Sequence, residues 1–242
     1  MKILILSCNT GEGHNSSGKA LQAALIERGV QCDMEDTLAI RSEWLSKVTS
    51  ELYEFSIKIS LFGLVYRLAE HYSALQLKSK SPIYALTSLY TQRLAKLIQE
   101  GHYDGVICVH LFPAEAMTMI RHKYGQRIPS IFVMTDYTCI PLLYETDLDK
   151  YVIPHNDLMD EFVIKGLVRS KLEALGIAES KRIIKGTGLK VSSLCRGGMF
   201  PAATEEQRRK NLDDNKRAVE EAAELGTDVL VLVCGPAPDR NI

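Results

Sequence analysis

The sequence predicts a three-layer α/β protein with a parallel sheet of about seven strands and helices on both faces. Three observations carry this. The chain opens on the apolar run Lys2–Ser7, and from Ser16 the apolar positions Ala20, Leu21, Ala24 and Leu25 recur at helical spacing, a βα start. Near-continuous apolar runs return at Asp104–Val109 and Ile128–Met134, as strands covered on both faces require. Helical patterns separate them, which is the alternation of a doubly wound, Rossmann-like sheet.

Composition narrows the function classes. A chain of 242 residues with 46% hydrophobic content has enough apolar surface for one large or two small domains. Its net charge of −1, with acids and bases well mixed, argues against nucleic acid as a partner. Six cysteines without CxxC spacing read as buried free thiols, so no disulfide, metal site or other cofactor is expected. No apolar run reaches the ~18 residues of a membrane span, and the chain opens directly on a strand. The expected location is cytoplasmic, with a peripheral membrane position left open.

Between the first strand and helix lies the loop Asn9-Thr10-Gly11-Glu12-Gly13-His14-Asn15. Its glycines allow a tight path, and Ser16 or Ser17 is placed to cap the helix, leaving backbone N–H groups that favour an anion. The loop lacks the third glycine of a dinucleotide fingerprint and the Gly-Lys-Ser/Thr of a P-loop. Val30–Asp36 is the second strand, and its acidic end suits either a ribose or plain solvent.

From Ser42 to about Tyr72 runs a helical segment with an expected break near Gly63. Trp44, Leu45, Val48, Leu52, Phe55, Ile59 and Phe62 form one broad apolar stripe, with Leu64 just beyond it. That stripe, flanked by Lys47, Lys58 and Arg67, suits either the core or an interface with lipid headgroups or a second copy. Pro82 starts the next helix, which closes at Gly101. Asp104–Val109 is a strand, with Pro113–Tyr124 as its crossover helix. Ile128–Met134 ends at Thr135-Asp136-Tyr137. Lys150–Ile153 ends at Pro154-His155-Asn156-Asp157, where Asn156 or Asp157 is placed to cap a helix. His14, Asp136 and His155 thus fall at the carboxyl edge of the sheet, where such folds bind ligands.

Three separated stretches resemble one family. Leu4-Ile5-Leu6-Ser7 with Thr10 to Asn15, Val133 to Tyr137, and Tyr151 to Leu158 are similar to the N-terminal domain of monogalactosyldiacylglycerol synthases and processive diacylglycerol glucosyltransferases, GT-B glycosyltransferases of family 28. The resemblance covers roughly residues 1–180. It implies a domain that binds the diacylglycerol acceptor at a membrane surface, while a second domain holds the UDP-sugar. His14 would then be the general base that takes the acceptor hydroxyl's proton, a task suited to an imidazole. Asp136 would orient His14 or the acceptor. Thr10, Gly11, Glu12, Gly13, Asn15, Ser16, Tyr137 and His155 would line the acceptor or anion site. Trp44, Phe55, Phe62 and Leu64 would face the membrane, diacylglycerol or an anionic lipid surface being the partner.

The last 60 residues or so depart from that pattern. Thr187 to Gly198, Asp213-Asp214-Asn215, Ala222 to Gly226 and Val231-Leu232-Val233 resemble a βαβ portion of the xylose-isomerase-like TIM barrels, the sugar-phosphate isomerase/epimerase group. One such unit cannot close a barrel of eight. The expectation is a chimera: an acceptor-domain-like part over 1–180, and a barrel-derived βαβ fragment over 181–242 that completes the same sheet, with Leu212, Ala218, Val219 and Ala222 on one helix face. On this reading the sugar-nucleotide half is absent and the chain is inactive alone. Two alternatives stay open, an engineered or recombined fold with no function beyond folding, and a small-molecule or anion-binding module.

Overall fold

The computed structural model describes residues 1–9, 12–40, 42, 47, 51, 61–74, 80–174, 176–187, 190–198 and 200–233. The chain divides into two compact units, Met1–Ala174 and Leu175–Ile242.

The first unit is built on six parallel strands in the order β2-β1-β3-β4-β5-β6. These are β1 Lys2–Ser7, β2 Gln31–Asp36, β3 Gly105–Cys108, β4 Ser130–Val133, β5 Lys150–Ile153 and β6 Leu172–Ala174. β1 pairs with β2 on one side (Leu6↔Glu35) and with β3 on the other (Leu6↔Cys108). The chain therefore winds outward in both directions from β1, and the winding reverses between β1 and β3. A crevice for ligand opens at that reversal, beyond the carboxyl ends of the strands.

Strand β1 shows why the sheet is the core. Leu4, Ile5 and Leu6 are all fully buried although successive side chains point to opposite faces, so both faces are covered. Leu4 and Leu6 join Val106, Phe132, Tyr151 and Ile153 in one cluster; Ile5 joins Cys32 and Val109 in another. The helices are α1 Glu12–Glu27, α2 Leu61–Ala74, α3 Pro82–Glu100, α4 Leu111–Tyr124 and α5 Met159–Ile164. In α4 every residue from Pro113 to Ile120 is buried, the mark of a helix enclosed by its neighbours. Gly18 faces β1 and β2, where a Cβ would stand 2.6 Å from the flexible tip of Met34 and 3.5 Å from Ile5 Cγ2.

Several boundaries differ from those the sequence predicts. α1 begins at Glu12, so His14, Asn15, Ser16 and Ser17 are helical and neither serine is the cap. α2 includes Gly63, and residues 52–60 ahead of it lie outside the described residues. α4 starts earlier than Pro113, with the His110 side chain as its cap. After β5 the capping side chain is His155, which accepts from Asp157 N at 3.2 Å, rather than Asn156 or Asp157. Four cysteines are buried free thiols, but Cys195 is exposed.

The second unit contains α6 Ile177–Thr187, β7 Leu194–Gly198, α7 Glu205–Leu225 and β8 Leu230–Val233. β7 and β8 pair in parallel with each other as a separate two-stranded sheet, so the predicted seventh strand does not extend the first sheet. β6 is only three residues long and offers little edge to extend, whereas the two later strands are joined by a helix of their own. Thr204 caps α7 by accepting from Gln207 N, and Gly226 (φ 79°) ends it in the left-handed region. Ala218 and Ala222, four apart, are buried; Leu212 and Val219 lie off that face and are exposed.

Candidate functional site

The site forms where β1, β3 and β4 end. α1 starts over the reversal point and carries His14, partly buried, across it. His14 Nδ1 lies 2.8 Å from the backbone oxygen of Val109, which follows β3, and 3.0 Å from Thr135 Oγ1, which follows β4. A carbonyl oxygen only accepts, so Nδ1 carries the hydrogen in this arrangement. The neutral ring is thereby fixed as the Nδ1–H tautomer with its lone pair on Nε2. No described residue hydrogen-bonds Nε2. The result is an imidazole oriented through one nitrogen and open to accept a proton at the other.

Neighbouring groups hold this arrangement. Ser7 at the end of β1 donates to Asn15 Oδ1 at 2.8 Å, and Asn15 donates to Asn9 Oδ1 at 3.4 Å, pinning the start of α1 to the strand. The His110 ring stands edge-on to His14 with centroids 4.7 Å apart. Burial, with His14 adding to it, pushes the His110 imidazole down to about 3, so His110 stays neutral beside His14 at physiological pH. The loop after Thr135 is tied down by Glu161, which accepts from Thr138 Oγ1 at 2.7 Å and from Cys139 N at 2.9 Å. Burial works against the Glu161 charge, but these bonds and Lys165 hold its carboxyl below the usual range.

The residues singled out in the sequence separate here. His14 and Asn15 sit at the centre, and Gly13 leaves open space beside its Cα. Asp136 is exposed and is linked to His14 through Thr135, which donates to its Oδ2 at 3.4 Å. Tyr137 is exposed. Ser16 is exposed on α1. His155 follows β5, the strand next to β4, and its side chain serves there as a cap. Thr10 and Gly11, the side chain of Glu12, residues Trp44 and Phe55, and the side chains of Phe62 and Leu64 lie outside the described residues.

Two participants carried no mark in the sequence reading, the Val109 carbonyl and His110, and Thr135 was marked only as part of the Thr135-Asp136-Tyr137 strand end, without a role of its own. A backbone oxygen has no side-chain signature. His110 directly follows an apolar strand run and is recognisable by that position. Thr135 stands beside the more conspicuous Asp136.

A polar crevice of about 450 Å³ adjoins Asn15, lined by Asn9, Lys19, Gln22, Glu35 and Asp36 among others. Two carboxylates against one ammonium make it a poor cradle for a phosphate. Asp36 Oδ1 accepts from Leu38 N at 3.0 Å, so that acid also closes the turn after β2. Among the described residues no helix is long and apolar enough to cross a membrane.

Comparison with known proteins gives one family. The model of the monogalactosyldiacylglycerol (MGDG) synthase family matches residues 14–178, ending close to the division between the two units. A processive diacylglycerol beta-glucosyltransferase of Bacillus subtilis is 27% identical over 179 residues, covering 73% of this chain and 45% of the enzyme. Its counterpart in Bacillus pumilus is 28% identical over the same length. A probable chloroplastic monogalactosyldiacylglycerol synthase of Glycine max is 24% identical over 190 residues, 76% of this chain and 35% of the relative. The chain thus spans less than half the length of these relatives.

Proposed function

This chain belongs to the monogalactosyldiacylglycerol synthase family, and from that premise we propose that its first unit binds a diacylglycerol acceptor and presents the free hydroxyl to His14. As the hydroxyl oxygen attacks the anomeric carbon of a sugar nucleotide, the O–H bond breaks and its proton passes to His14 Nε2; the C–O bond to the nucleotide diphosphate breaks with the electron pair leaving on the phosphate. A neutral alcohol is a weak nucleophile, and proton removal in the transition state by a placed base contributes about 10²–10⁴-fold.

The observation that carries this reading is the paired anchoring of His14 Nδ1 by Val109 and Thr135, which leaves Nε2 as the basic nitrogen. Thr135 is a positioning residue, and Asp136 acts through it. The polar crevice beside Asn15 suits hydroxylated groups better than a free anion. On the membrane side, α2 carries Arg67 and Leu68 exposed, in keeping with a helix that rests on lipid headgroups.

The test is flotation of the chain with phosphatidylcholine vesicles with and without diacylglycerol, together with transfer of labelled hexose from UDP-glucose and UDP-galactose to diacylglycerol when the chain is supplied with a sugar-nucleotide domain. Diacylglycerol-dependent flotation that survives His14→Gln, with transfer reduced by about 10²-fold or more in that variant, supports the reading. Flotation indifferent to diacylglycerol, or transfer that His14→Gln leaves intact, overturns it.

A further inference from the structure

An apolar groove of about 180 Å³ lies along α3, between that helix and the start of α4. Its walls are Ile83, Leu86, Leu89 and Tyr90, with Leu38 and Phe112 closing it. Leu86 and Leu89 are 60% and 49% exposed, a pair of leucines facing water on a helix whose opposite side is buried. The polar groups beside it are engaged within the protein: Thr87 Oγ1 donates to Tyr84 O at 2.6 Å, and Tyr90 Oη donates to Phe112 O at 3.1 Å. What remains to meet a ligand is hydrocarbon and aromatic surface.

Ring contacts link the wall of the groove to the site. Phe112 lines the groove, and the Phe112 ring stands 4.9 Å from the His110 ring, which in turn stands 4.7 Å from His14. Leu38 enters the groove from the turn directly after β2, at the same carboxyl edge of the sheet. From Ile83 to Tyr90 the helix rises about 10 Å, room for a stretch of extended hydrocarbon but narrow for a folded polypeptide.

We propose that this groove receives one acyl chain of the lipid acceptor, while the acceptor's hydroxyl lies at His14. The inference rests on the acceptor reading given above and adds to it the path of the chain. The glycerol end turns at Phe112 and His110, and the hydrocarbon runs along α3 between Ile83 and Leu89. Burying methylenes there is favourable, so the groove favours acceptors with chains long enough to fill it.

The experiment is photo-crosslinking of the full chain to a diacylglycerol bearing a diazirine midway along one acyl chain, in phosphatidylcholine vesicles, with the adducts mapped by peptide mass spectrometry. Adducts on 83–90 and on Phe112 are expected. They should persist in His14→Gln and fall about tenfold in Leu86→Glu/Leu89→Glu, whose exposed positions spare the core. Adducts elsewhere, while vesicle flotation still depends on diacylglycerol, overturn the groove and leave the acceptor reading standing. Equal labelling by a phosphatidylcholine bearing the same diazirine overturns the groove as an acceptor site. Flotation that does not depend on diacylglycerol removes both.

Discussion

His14 and Thr135, 121 residues apart in the chain, meet with Thr135 Oγ1 3.0 Å from His14 Nδ1. That contact joins the first turn of α1 to the end of β4 across the intervening strand β3, whose own end supplies Val109 O at 2.8 Å from the same nitrogen. Two acceptors on one N–H fix both the tautomer and the plane of the ring.

Thr135→Val keeps the shape and removes one of the two acceptors. Hexosyl transfer should fall several-fold with the apparent pKa of the rate profile displaced, while diacylglycerol-dependent flotation is unchanged. Thr135→Ser should restore most of the loss. A rate profile of unaltered shape in Thr135→Val would show that the threonine has only a packing role.

Asp136 stands at the rim and, among the described residues, reaches His14 through Thr135. Asp136→Asn should therefore reduce transfer less than Thr135→Val does. The two variants measured side by side check the order; a larger effect at Asp136 would place its carboxylate on the substrate.

How much of this was legible in the sequence depends on the kind of atom. The strands declared themselves, because Leu4-Ile5-Leu6 and Val106 to Val109 are apolar on both faces and only a covered parallel strand needs that. The placement of His14 at the carboxyl edge followed from the βα start. Its partners did not: Val109 contributes a backbone oxygen, and Thr135 was overshadowed by a charged neighbour. The first helix begins five or six residues sooner than a serine cap would place it, since Ser16 and Ser17 are good caps only where a helix starts and these lie inside one. The C-terminal strands were identified, but their sheet was not. Hydrophobic pattern marks a strand without naming the edge it pairs with, and β7 pairs with β8.

Glu115 on α4 is fully buried, and among the described residues neither carboxylate oxygen has a hydrogen-bond partner. Burial raises its pKa to about 8, with Glu145 adding and Lys80 opposing. The unfolded chain then releases this proton first, near the ordinary value of 4.5, while the folded chain keeps it to about 8. Stability from this group is therefore full at low pH, declines across that interval and levels off above it. Glu115→Gln should flatten the fall in melting temperature between pH 5 and 8, and should be the more stable protein at the upper end. Parallel melting curves for both proteins across that range would contradict this.

His110 caps α4 by accepting from Phe112 N at 3.2 Å while packing edge-on to His14. His110→Phe retains a ring and loses the cap, at a cost of about 1 kcal/mol, or about 2–4 °C in melting temperature for a unit of this size. Thermal melts of the two proteins measure it, and an unchanged transition would remove the capping role.

The division at Ala174 has its own consequence. Limited proteolysis should cut first between the two compact units and release a fragment ending near residue 174 that melts cooperatively. First cuts inside β1 to β5 would contradict the division.

The central claim is that His14 presents a basic Nε2 to a lipid hydroxyl, and heteronuclear NMR of its imidazole, assigned with His14→Gln, reads this directly. The account predicts a neutral ring protonated at Nδ1, with an Nε2 signal that moves when diacylglycerol is added in detergent micelles and stays put when the micelles carry none. A ring protonated at Nε2, or an Nε2 signal indifferent to diacylglycerol, would contradict it.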